Sequence, residues 1–333
     1  MQIKNKRVKK VKVGVVGVGT MGINHLRVFS QLPNVDLIAI ADLNRKTLNS
    51  VSTLYNVNVY VDYKKMLEQE DIDAVTVAVP TKLHFDVARD IIARKINLLV
   101  EKPLASSVRE CELLIEQAKK YHIILGVGHV ERFNPVITEL RKHLINQKLG
   151  RIFQITIRRL GPFPQRVTDV GVFLDLATHD LDIMNYLTGA RINRISAESA
   201  RLVHSKHEDL AVSIVRFTSG VIGVLVENWL SPTKIRDICI NGEKGMFIAD
   251  FISQDLYFYE NNYKPSSWES LAVFRGMTEG NMTRFYIDRQ EPLRLELESF
   301  IEAVLHKRPF FVTPEEGLHS VELAERLLKI ANT

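Results

Sequence analysis

Cysteine is scarce in this 333-residue chain, and long apolar runs are absent from it. The two thiols, Cys111 and Cys239, stand in a helical and a strand pattern, which is typical of core packing in a reducing compartment. No apolar run reaches the roughly 18 residues of a membrane span, and no signal-peptide core follows the N-terminus. These absences argue against a disulfide-stapled secreted domain and a membrane-spanning protein, and we expect a soluble, cytoplasmic protein.

The composition is that of a folded globular protein, with 46% apolar and 25% charged residues. The length exceeds one ordinary core and predicts two domains. Basic residues crowd the N-terminus, at Lys4, Lys6, Arg7, Lys9, Lys10 and Lys12. Because no aromatic residue interleaves these charges, we interpret residues 1–10 as a solvated leader, and expect neither nucleic acid nor a membrane as a partner.

Short apolar runs alternate with helical patterns in the first part of the chain. Five runs, mostly β-branched, predict strands at 11–16, 37–41, 74–79, 97–100 and 123–127. Because these runs lack polar alternation, they indicate strands covered on both faces, as in a parallel sheet. Apolar residues three and four apart predict helices between them, among them 21–31, 84–95 and 108–120. Residues 1–128 are therefore predicted to form a doubly wound, Rossmann-type α/β domain.

After Gly128 the pattern changes to two helices and then a series of strands. Helical patterns at 135–146 and 172–187 bracket a strand pattern at 151–159. Further strand patterns follow at 209–217, 221–229, 235–240, 246–251 and 256–260, with short, turn-rich joints that require antiparallel pairing. Helical patterns at 292–305 and 314–331 close the chain. Residues 129–333 are therefore predicted to form an α+β domain on a large, mostly antiparallel sheet.

A glycine-rich turn, Gly17-Val18-Gly19-Thr20-Met21-Gly22, follows the first predicted strand and opens a helix. Such glycines allow a tight turn, close approach of the backbone to a pyrophosphate, and close packing of helix on strand. The helix N-terminus offers N–H groups and a positive dipole end to phosphates. Asp42 ends the second strand, where a carboxylate binds ribose hydroxyls and repels a 2′-phosphate. We predict NAD, in preference to NADP, bound by Gly17, Gly19, Thr20, Met21, Gly22 and Asp42.

One lysine lies at the carboxyl end of the fifth predicted strand, in Glu101-Lys102-Pro103. Ligands of doubly wound sheets bind in the crevice outside the carboxyl ends of the strands. Pro103 also keeps Lys102 out of helical geometry. A functional lysine is the hypothesis that this position favours, and an exposed loop lysine is the alternative.

Four polar residues recur along the predicted helix 172–187, at Asp175, Thr178, His179 and Asp182. Spacings of three, four and seven place them on one helical stripe. Because most of the remaining helix surface is apolar, we expect a buried helix whose stripe lines a cavity. Histidine, with an unperturbed pKa of about 6.5, is suited to take a hydroxyl proton while hydride leaves the same carbon, and Asp175 could orient its ring. A metal site is the alternative, but no further ligands stand at metal spacing, and we predict no metal.

Together, the glycine turn, the Glu101-Lys102-Pro103 motif and the helix with Asp175 and His179 resemble the Gfo/Idh/MocA oxidoreductases. The resemblance extends from Val11 over essentially the whole chain. It implies an NAD-dependent oxidoreductase acting on CH–OH groups, with Lys102, Asp175 and His179 as catalytic residues, and a homo-oligomer (dimer or tetramer) formed through the broad sheet. It also implies cofactor contacts from Pro80, Thr81, His84, Glu101 and Lys102, although this chain has Pro80-Thr81 where relatives often have Thr-Pro.

Residues 131–135, 161–164 with Arg166, and 228–236 are similar to a narrower group, the UDP-N-acetylglucosamine 3-dehydrogenases, and more loosely to UDP-N-acetylglucosaminuronate dehydrogenases. The resemblance implies oxidation of the sugar C3 hydroxyl to a ketone, and a partner aminotransferase that makes a 3-amino sugar for lipid A. A sugar diphosphate calls for bidentate cations. We expect substrate contacts from Arg132, Asn134, Arg159, Arg166, Lys234 and Arg236, and Arg158 is a further candidate. A surface ion pair is the alternative for each arginine.

Two other functions stay open. A free-sugar or inositol dehydrogenase of the same fold needs simpler polar contacts and no diphosphate clamp. A catalytically silent sensor would bind the dinucleotide and regulate a partner, but it has no need of both Lys102 and His179.

Overall fold

The computed structural model of the protein describes residues 10–164, 170–262 and 278–331, and it divides into two compact units. The first unit contains the described residues through Val130 together with Glu291–Leu323. The second contains Glu131–Gln290 and the end of the chain from Ala324. Within the described ranges, no helix combines the length and apolarity that crossing a bilayer requires.

A six-stranded parallel sheet forms the centre of the first unit. Its strands are β1 (Val11–Val16), β2 (Val35–Ala41), β3 (Asn58–Tyr60), β4 (Ala74–Val77), β5 (Asn97–Glu101) and β6 (Leu125–Gly128). The helices between them are α1 (Thr20–Phe29), α2 (Arg45–Tyr55), α3 (Tyr63–Gln69), α4 (His84–Ala93) and α5 (Val108–Tyr121). The order β3-β2-β1-β4-β5-β6 is that of a doubly wound sheet, which confirms the predicted class.

Eight strands build the sheet of the second unit: β7 (Ile152–Leu160), β8 (Ile192–Ala200), β9 (Leu210–Phe217), β10 (Ile222–Asn228), β11 (Ile235–Gly242), β12 (Gly245–Asp250), β13 (Asp255–Asn262) and β14 (Thr278–Phe285). They lie in the order β14-β13-β12-β11-β7-β10-β9-β8. Every neighbouring pair is antiparallel except β7 with β10, which confirms the mostly antiparallel sheet.

Two helical segments pack on this sheet. Helix α6 (Pro135–Ile145) lies on β12 and β13. The second segment begins with a π-helical turn at Phe173–Ala177, which packs on β10, and continues as α7 (Thr178–Thr188), which packs on β7. Residues alternate between buried and exposed along β9, as expected for a strand that is covered on one face.

The last two helices, α8 (Pro292–His306) and α9 (Pro314–Ala331), correct the predicted domain boundary. The prediction placed them with residues 129–333, but Glu291–Leu323 belongs to the first unit. The reason is apolar packing: α8 contacts α1 and β1, and its residues Leu297 and Phe300 are fully buried. Phe310, which follows α8, packs closely on Gly126 of β6. A Cβ added to Gly126 would lie 2.4 Å from the Phe310 ring.

Candidate active site

The glycine turn has the backbone geometry that the motif predicts. Gly17 has a φ of 89°, and a Cβ on it would lie 2.6 Å from the carbonyl oxygen of Ala78. A Cβ on Gly22 would lie 1.9 Å from the carbonyl oxygen of Gly17. Gly19 is different, because beyond its own chain neighbours no described residue places an atom within 4 Å of the position that its Cβ would take. Two glycines therefore close the turn, and the third leaves room for a ligand to approach the backbone.

Asp42 ties this turn to the end of β2. Its Oδ2 accepts a hydrogen bond of 2.6 Å from the backbone N–H of Val18, and its Oδ1 accepts one of 2.7 Å from Asn44. Helix α1 begins at Thr20, beside the open space at Gly19, and the N–H groups of a first turn have no partners within their own helix. An open backbone, a helix N-terminus and a carboxylate fit the pyrophosphate and ribose of a dinucleotide.

Replacing Asp42 by asparagine should weaken the preference for NADH over NADPH by about fivefold or more. Repulsion between two unit charges 4 Å apart is about 1 kcal/mol even in water. Asparagine keeps one oxygen for the Val18 N–H but loses the second acceptor that Asn44 uses, so equal weakening of both cofactors reports the change in the turn and only the change in their ratio reports the charge. Calorimetric dissociation constants for both cofactors would measure the change, with Asp36→Asn on the exposed side of β2 as the control. Tighter binding of NADPH than of NADH by the unaltered protein would contradict the prediction.

Glu101, at the end of β5, has an internal partner that the sequence reasoning missed. His25 Nε2 lies 2.9 Å from Glu101 Oε1, and both side chains are buried. Burial acts to raise the pKa of Glu101, but the hydrogen bond with His25 and the charge of Lys102 lower it overall. The contact points to Glu101 as an anchor between β5 and α1 and not as a cofactor contact. The detectable signal was a histidine three residues after Gly22, on the apolar side of α1.

His84 is also internal, which corrects its predicted role as a cofactor contact. Its Nδ1 lies 2.7 Å from the carbonyl oxygen of Pro103, and its Nε2 lies 2.9 Å from that of Val79. Burial lowers the pKa of this histidine. Both ring nitrogens face backbone carbonyls, so the ring joins the segment after β4 to the segment after β5. It thereby fixes the backbone beside Lys102, which is itself half-buried.

Pro80 and Thr81 lie between β4 and α4, at the carboxyl end of the strand. Their predicted contacts with the cofactor stay predictions.

Glu296 on α8 is a fully buried carboxyl, and neither oxygen has a hydrogen-bond partner among the described residues. Burial, reinforced by the charge of Glu101, raises its pKa well above the ordinary value. A carboxyl whose pKa is raised in the folded state keeps its proton to a higher pH there than in the unfolded chain, so its contribution to stability falls as the pH rises above the unfolded pKa of about 4.3.

The free energy of unfolding of Glu296→Gln should therefore rise relative to wild type between pH 5 and pH 8. The difference in unfolding free energy between Glu296→Gln and wild type should grow by up to about 1.4 kcal/mol per pH unit until the pH reaches the raised pKa of Glu296. Urea unfolding at several pH values measures it. Glu298→Gln, at a partly exposed position of the same helix, is the matched control. A difference between Glu296→Gln and wild type that does not change with pH would count against a protonated Glu296.

In the second unit, the helix carrying Asp175 and His179 is buried as predicted. Its fully buried residues include Phe173, Ala177, Leu181, Ile183 and Met184. The predicted polar stripe is interrupted at its start, because the π turn at Phe173–Ala177 is wider than an α-helical turn and changes the spacing between Asp175 and the three other residues, which lie in α7. Asp175 and His179 are half-buried, whereas Thr178 is buried and donates to the carbonyl oxygen of Leu174 at 2.9 Å.

Asp182 is the other departure from the stripe, and its partner is Arg132. Arg132 donates from Nε and Nη2 to the two carboxylate oxygens of Asp182, at 2.7 and 2.6 Å. Both side chains are buried, and the guanidinium also lies 5.0 Å from the ring centre of Tyr186. A carboxylate and an aromatic ring thus already surround the charge of Arg132, which favours an internal role over the predicted substrate contact.

Arg159 and Asn134 are internal as well. Arg159 is buried and donates to Asp180 at 2.8 Å and to Glu131 at 3.0 Å. Burial favours the neutral form of this arginine, but the carboxylates of Asp180 and Glu131 raise its pKa. Asn134 caps α6 by accepting from the N–H of Val136, and donates to the carbonyl oxygen of Phe251. Both side chains are buried and have internal partners, which favours a structural role for each.

The remaining predicted cations differ in their exposure. Arg158 forms a two-point ion pair with Asp237 at the surface. A surface ion pair was the alternative to a substrate contact for each arginine. The Arg236 side chain is 36% exposed, and its Nη1 lies 3.6 Å from Glu131. Lys234 is exposed. Arg166 lies outside the described residues. Of the described substrate predictions, those for Lys234 and Arg236 stay open.

Two family descriptions match the chain, one in each unit. Residues 11–129 match an oxidoreductase family with an NAD-binding Rossmann fold, and residues 137–248 match the GFO/IDH/MocA C-terminal domain. The chain belongs to the Gfo/Idh/MocA oxidoreductase family. The predicted enzyme class, an NAD-dependent oxidoreductase, is thereby confirmed.

Relatives of this oxidoreductase include enzymes of more than one specificity. It is 26% identical to the UDP-N-acetylglucosamine 3-dehydrogenase of Acidithiobacillus ferrooxidans over 90% of this chain and 91% of the relative. It is 28% identical to the myo-inositol 2-dehydrogenase of Thermotoga maritima over 79% of this chain and 87% of that one. A solved structure of the Acidithiobacillus enzyme shares its fold, with a TM-score of 0.83 at 24% identity over 96% and 97% of the two chains.

Proposed function

We propose that this oxidoreductase oxidises the C3 hydroxyl of UDP-N-acetylglucosamine to a 3-keto sugar. The observation that carries the proposal is the pair of accessible cations, Lys234 and Arg236, at the segment that follows β10 and begins β11. A diphosphate requires such cations, and a neutral sugar does not. The full-length similarity to a UDP-N-acetylglucosamine 3-dehydrogenase supports the same substrate.

The proposed chemistry uses three side chains of the chain. His179 takes the proton of the C3 hydroxyl, and Asp175 orients the imidazole. Lys102 donates a charged hydrogen bond to the same oxygen as it becomes an alkoxide. NAD, when bound, accepts the hydride from C3. The 3-keto product is a substrate for an aminotransferase, which we propose as the partner enzyme.

An assay of NADH absorbance tests this proposal, with an aminotransferase and its amino donor present to remove the ketone. The substrates are UDP-N-acetylglucosamine, UDP-N-acetylglucosaminuronate, N-acetylglucosamine and myo-inositol. Lys234→Ala and Arg236→Ala should each raise the KM for the nucleotide sugar about tenfold or more, because a hydrogen bond to a charged group contributes roughly 1.5–3 kcal/mol. Arg158→Ala, which disrupts a surface ion pair, is the matched control. Activity on inositol with none on either nucleotide sugar would overturn the proposal.

The second candidate is an inositol or free-sugar dehydrogenase. The internal roles of Arg132, Asn134 and Arg159 favour it, because they leave fewer groups for a diphosphate than the sequence predicts. The similarity to a myo-inositol 2-dehydrogenase supports it too. The same substrate panel separates the two candidates.

We further propose that the open face of the eight-stranded sheet joins copies of this chain. Val212 and Ile214 on β9 and Ile222 on β10 are exposed, and β9 pairs with β10 so that Val212 lies opposite Val226 and Ile214 opposite Val224. Contiguous exposed apolar surface of this kind marks interfaces. Sedimentation should give a mass of two or more times the chain mass of 38.0 kDa, and Ile214→Lys should lower the sedimenting mass. Ile252→Lys, at an exposed turn, is the control, and a monomeric wild type would contradict the proposal.

A further inference from the structure

The loop 201–209, between β8 and β9, is held by a single carboxylate. Asp209 accepts hydrogen bonds from the backbone N–H groups of Leu202, Val203 and His204, at 2.9, 2.6 and 2.7 Å. Burial acts to raise the pKa of Asp209, but these three donors lower it overall. The loop is thus fixed by its own hydrogen bonds, before any ligand is present.

This loop contacts the segment that leads into the helix with Asp175 and His179. The backbone N–H of Val172 donates to the carbonyl oxygen of Glu208 at 3.1 Å, and the N–H of Phe173 donates to the Glu208 side chain at 3.2 Å. At its end, the loop also contacts the segment after β10, where the N–H of Trp229 donates to the carbonyl oxygen of Asp209 at 3.0 Å. The loop therefore joins the start of this helix to the segment after β10.

Three aromatic side chains meet at this junction and are called the aromatic group below: Phe163, His204 and Trp229. The rings of Phe163 and His204 stack with centroids 5.6 Å apart and an interplanar angle of 30°. Trp229 meets Phe163 edge-on at 5.8 Å and is only 4% exposed, whereas the other two rings are half-buried. A buried tryptophan thus supports a stacked pair that keeps part of its surface accessible.

The orientation of His204 is fixed by its backbone neighbours. Its Nδ1 accepts from the N–H groups of Lys206 and His207, at 3.0 and 2.9 Å. In the neutral ring the proton is then on Nε2, because Nδ1 uses its lone pair as an acceptor. The aromatic group therefore offers a flat ring face and an N–H donor, which are the features that a base with carbonyl oxygens requires.

The aromatic group shares its backbone segments with one of the accessible cations. Gly161 donates to the carbonyl oxygen of Asn228 at 3.1 Å, and Ser231 donates back to the carbonyl oxygen of Gly161 at 3.2 Å. Cγ of Lys234 lies 3.6 Å from the position that a Cβ on Gly161 would take, so the base of this side chain lies beside the same segment. Phe163 and Trp229 are therefore on the same two joined segments as a lysine that could bind phosphate.

We propose that the aromatic group binds the pyrimidine ring of the nucleotide sugar by stacking, next to a diphosphate held by Lys234. This inference rests on the proposed function, and it names the part of the second unit that selects a uridine nucleotide. Stacking of a base on an aromatic side chain contributes enough to change affinity by about fivefold to a hundredfold.

Calorimetry on the full chain with saturating NADH tests the inference, using UDP and N-acetylglucosamine 1-phosphate as separate ligands. Phe163→Leu should raise the Kd for UDP at least about fivefold and leave that for the sugar phosphate unchanged. Phe163→Tyr, which keeps the ring, should retain UDP binding. Phe153→Leu is the matched control, because Phe153 is a half-exposed aromatic near the opposite end of β7.

The outcomes separate this inference from the proposed function. Equal UDP binding by wild type and Phe163→Leu would overturn the stacking site alone. Equal losses for UDP and the sugar phosphate would also overturn it, because the effect would not concern the base. A wild type that binds neither UDP nor UDP-N-acetylglucosamine would overturn both. A loss for UDP in Phe163→Leu that Phe163→Tyr does not share supports the inference, and a thermal unfolding midpoint equal to that of Phe153→Leu shows that the fold is unchanged.

Discussion

Replacing His179 by alanine should lower turnover at least about a hundredfold, and replacing Lys102 by alanine should do the same. Without His179, the hydroxyl proton has no positioned acceptor while hydride leaves. Without Lys102, a charged hydrogen bond that is strongest at the developing alkoxide is lost. Both losses act on the transition state more than on the ground state, so kcat should fall while the Kd for NADH, from fluorescence titration, changes little.

Matched surface variants give the baseline for these measurements. His306 and Lys64 are exposed and lie in ion pairs with Glu302 and Asp90. His306→Ala and Lys64→Ala should keep kcat within about twofold, because neither residue belongs to the proposed site and the loss of an exposed pair changes stability by about 1 kcal/mol or less. Near-normal turnover in His179→Ala, in a protein with the unfolding profile of the wild type, would reject its proton-transfer role. Normal turnover in Lys102→Ala would reject the corresponding role of the lysine.

Five strands of the parallel sheet were predictable because they are mostly continuous apolar runs, whereas β3, with three residues and no buried one, was missed. Burial on both faces removes polar alternation, so β1 and β4 stand out from the sequence. Two strands of the second sheet were not predicted, for physical reasons. In β8, a register shift between Ile192 and Arg194 interrupts the alternation that reveals a strand. β14 lies at the sheet edge and has few apolar residues.

The dinucleotide motif was predictable for a related reason, since its geometry is local. The glycine turn and the first residues of its helix lie within six residues, Gly17–Gly22, and the positive φ of Gly17 is one that glycine adopts without strain. The partners of the charged residues were not predictable, because they lie far away in the sequence. Arg132 pairs with Asp182, 50 residues away, and Arg159 pairs with Asp180, 21 residues away. An arginine in a sequence looks the same whether a distant carboxylate or a substrate phosphate neutralises it.

The carboxylates of these two ion pairs follow His179 closely on α7. Asp180, one residue beyond it, is held by Arg159 of β7, and Asp182 is held by Arg132. Glu227 of β10 lies near the pair of Arg159 and Asp180 and is fully buried. Neither of its oxygens has a hydrogen-bond partner among the described residues. Burial, together with the charge of Asp180, raises the pKa of Glu227 well above the ordinary value. Buried ion pairs therefore hold the helix with the proposed base within the second unit, which favours a positioning role for Arg132 and Arg159.

Replacing Arg132 by alanine should accordingly lower the free energy of unfolding by about 3–5 kcal/mol, because Asp182 would be left as a buried, uncompensated charge. Asp182→Ala should have a similar effect. Exchanging the pair for apolar residues of similar size, as Arg132→Met with Asp182→Leu, should recover most of the loss, since neither charge is then buried. Urea unfolding of the two single variants and the double variant gives the coupling energy. Arg158→Ala, at the surface pair with Asp237, should change stability by about 1 kcal/mol or less.

The KM for the sugar substrate decides between this positioning role and the substrate contact that the sequence predicts. If Arg132 only holds the helix, the double variant regains stability and its KM stays within about threefold of the wild-type value. If Arg132 binds a phosphate, the double variant is stable but its KM rises about tenfold or more, because a hydrogen bond to a charged group is lost. That second result would return Arg132 to the substrate site. The first would leave Lys234 and Arg236 as the described cations that contact the diphosphate.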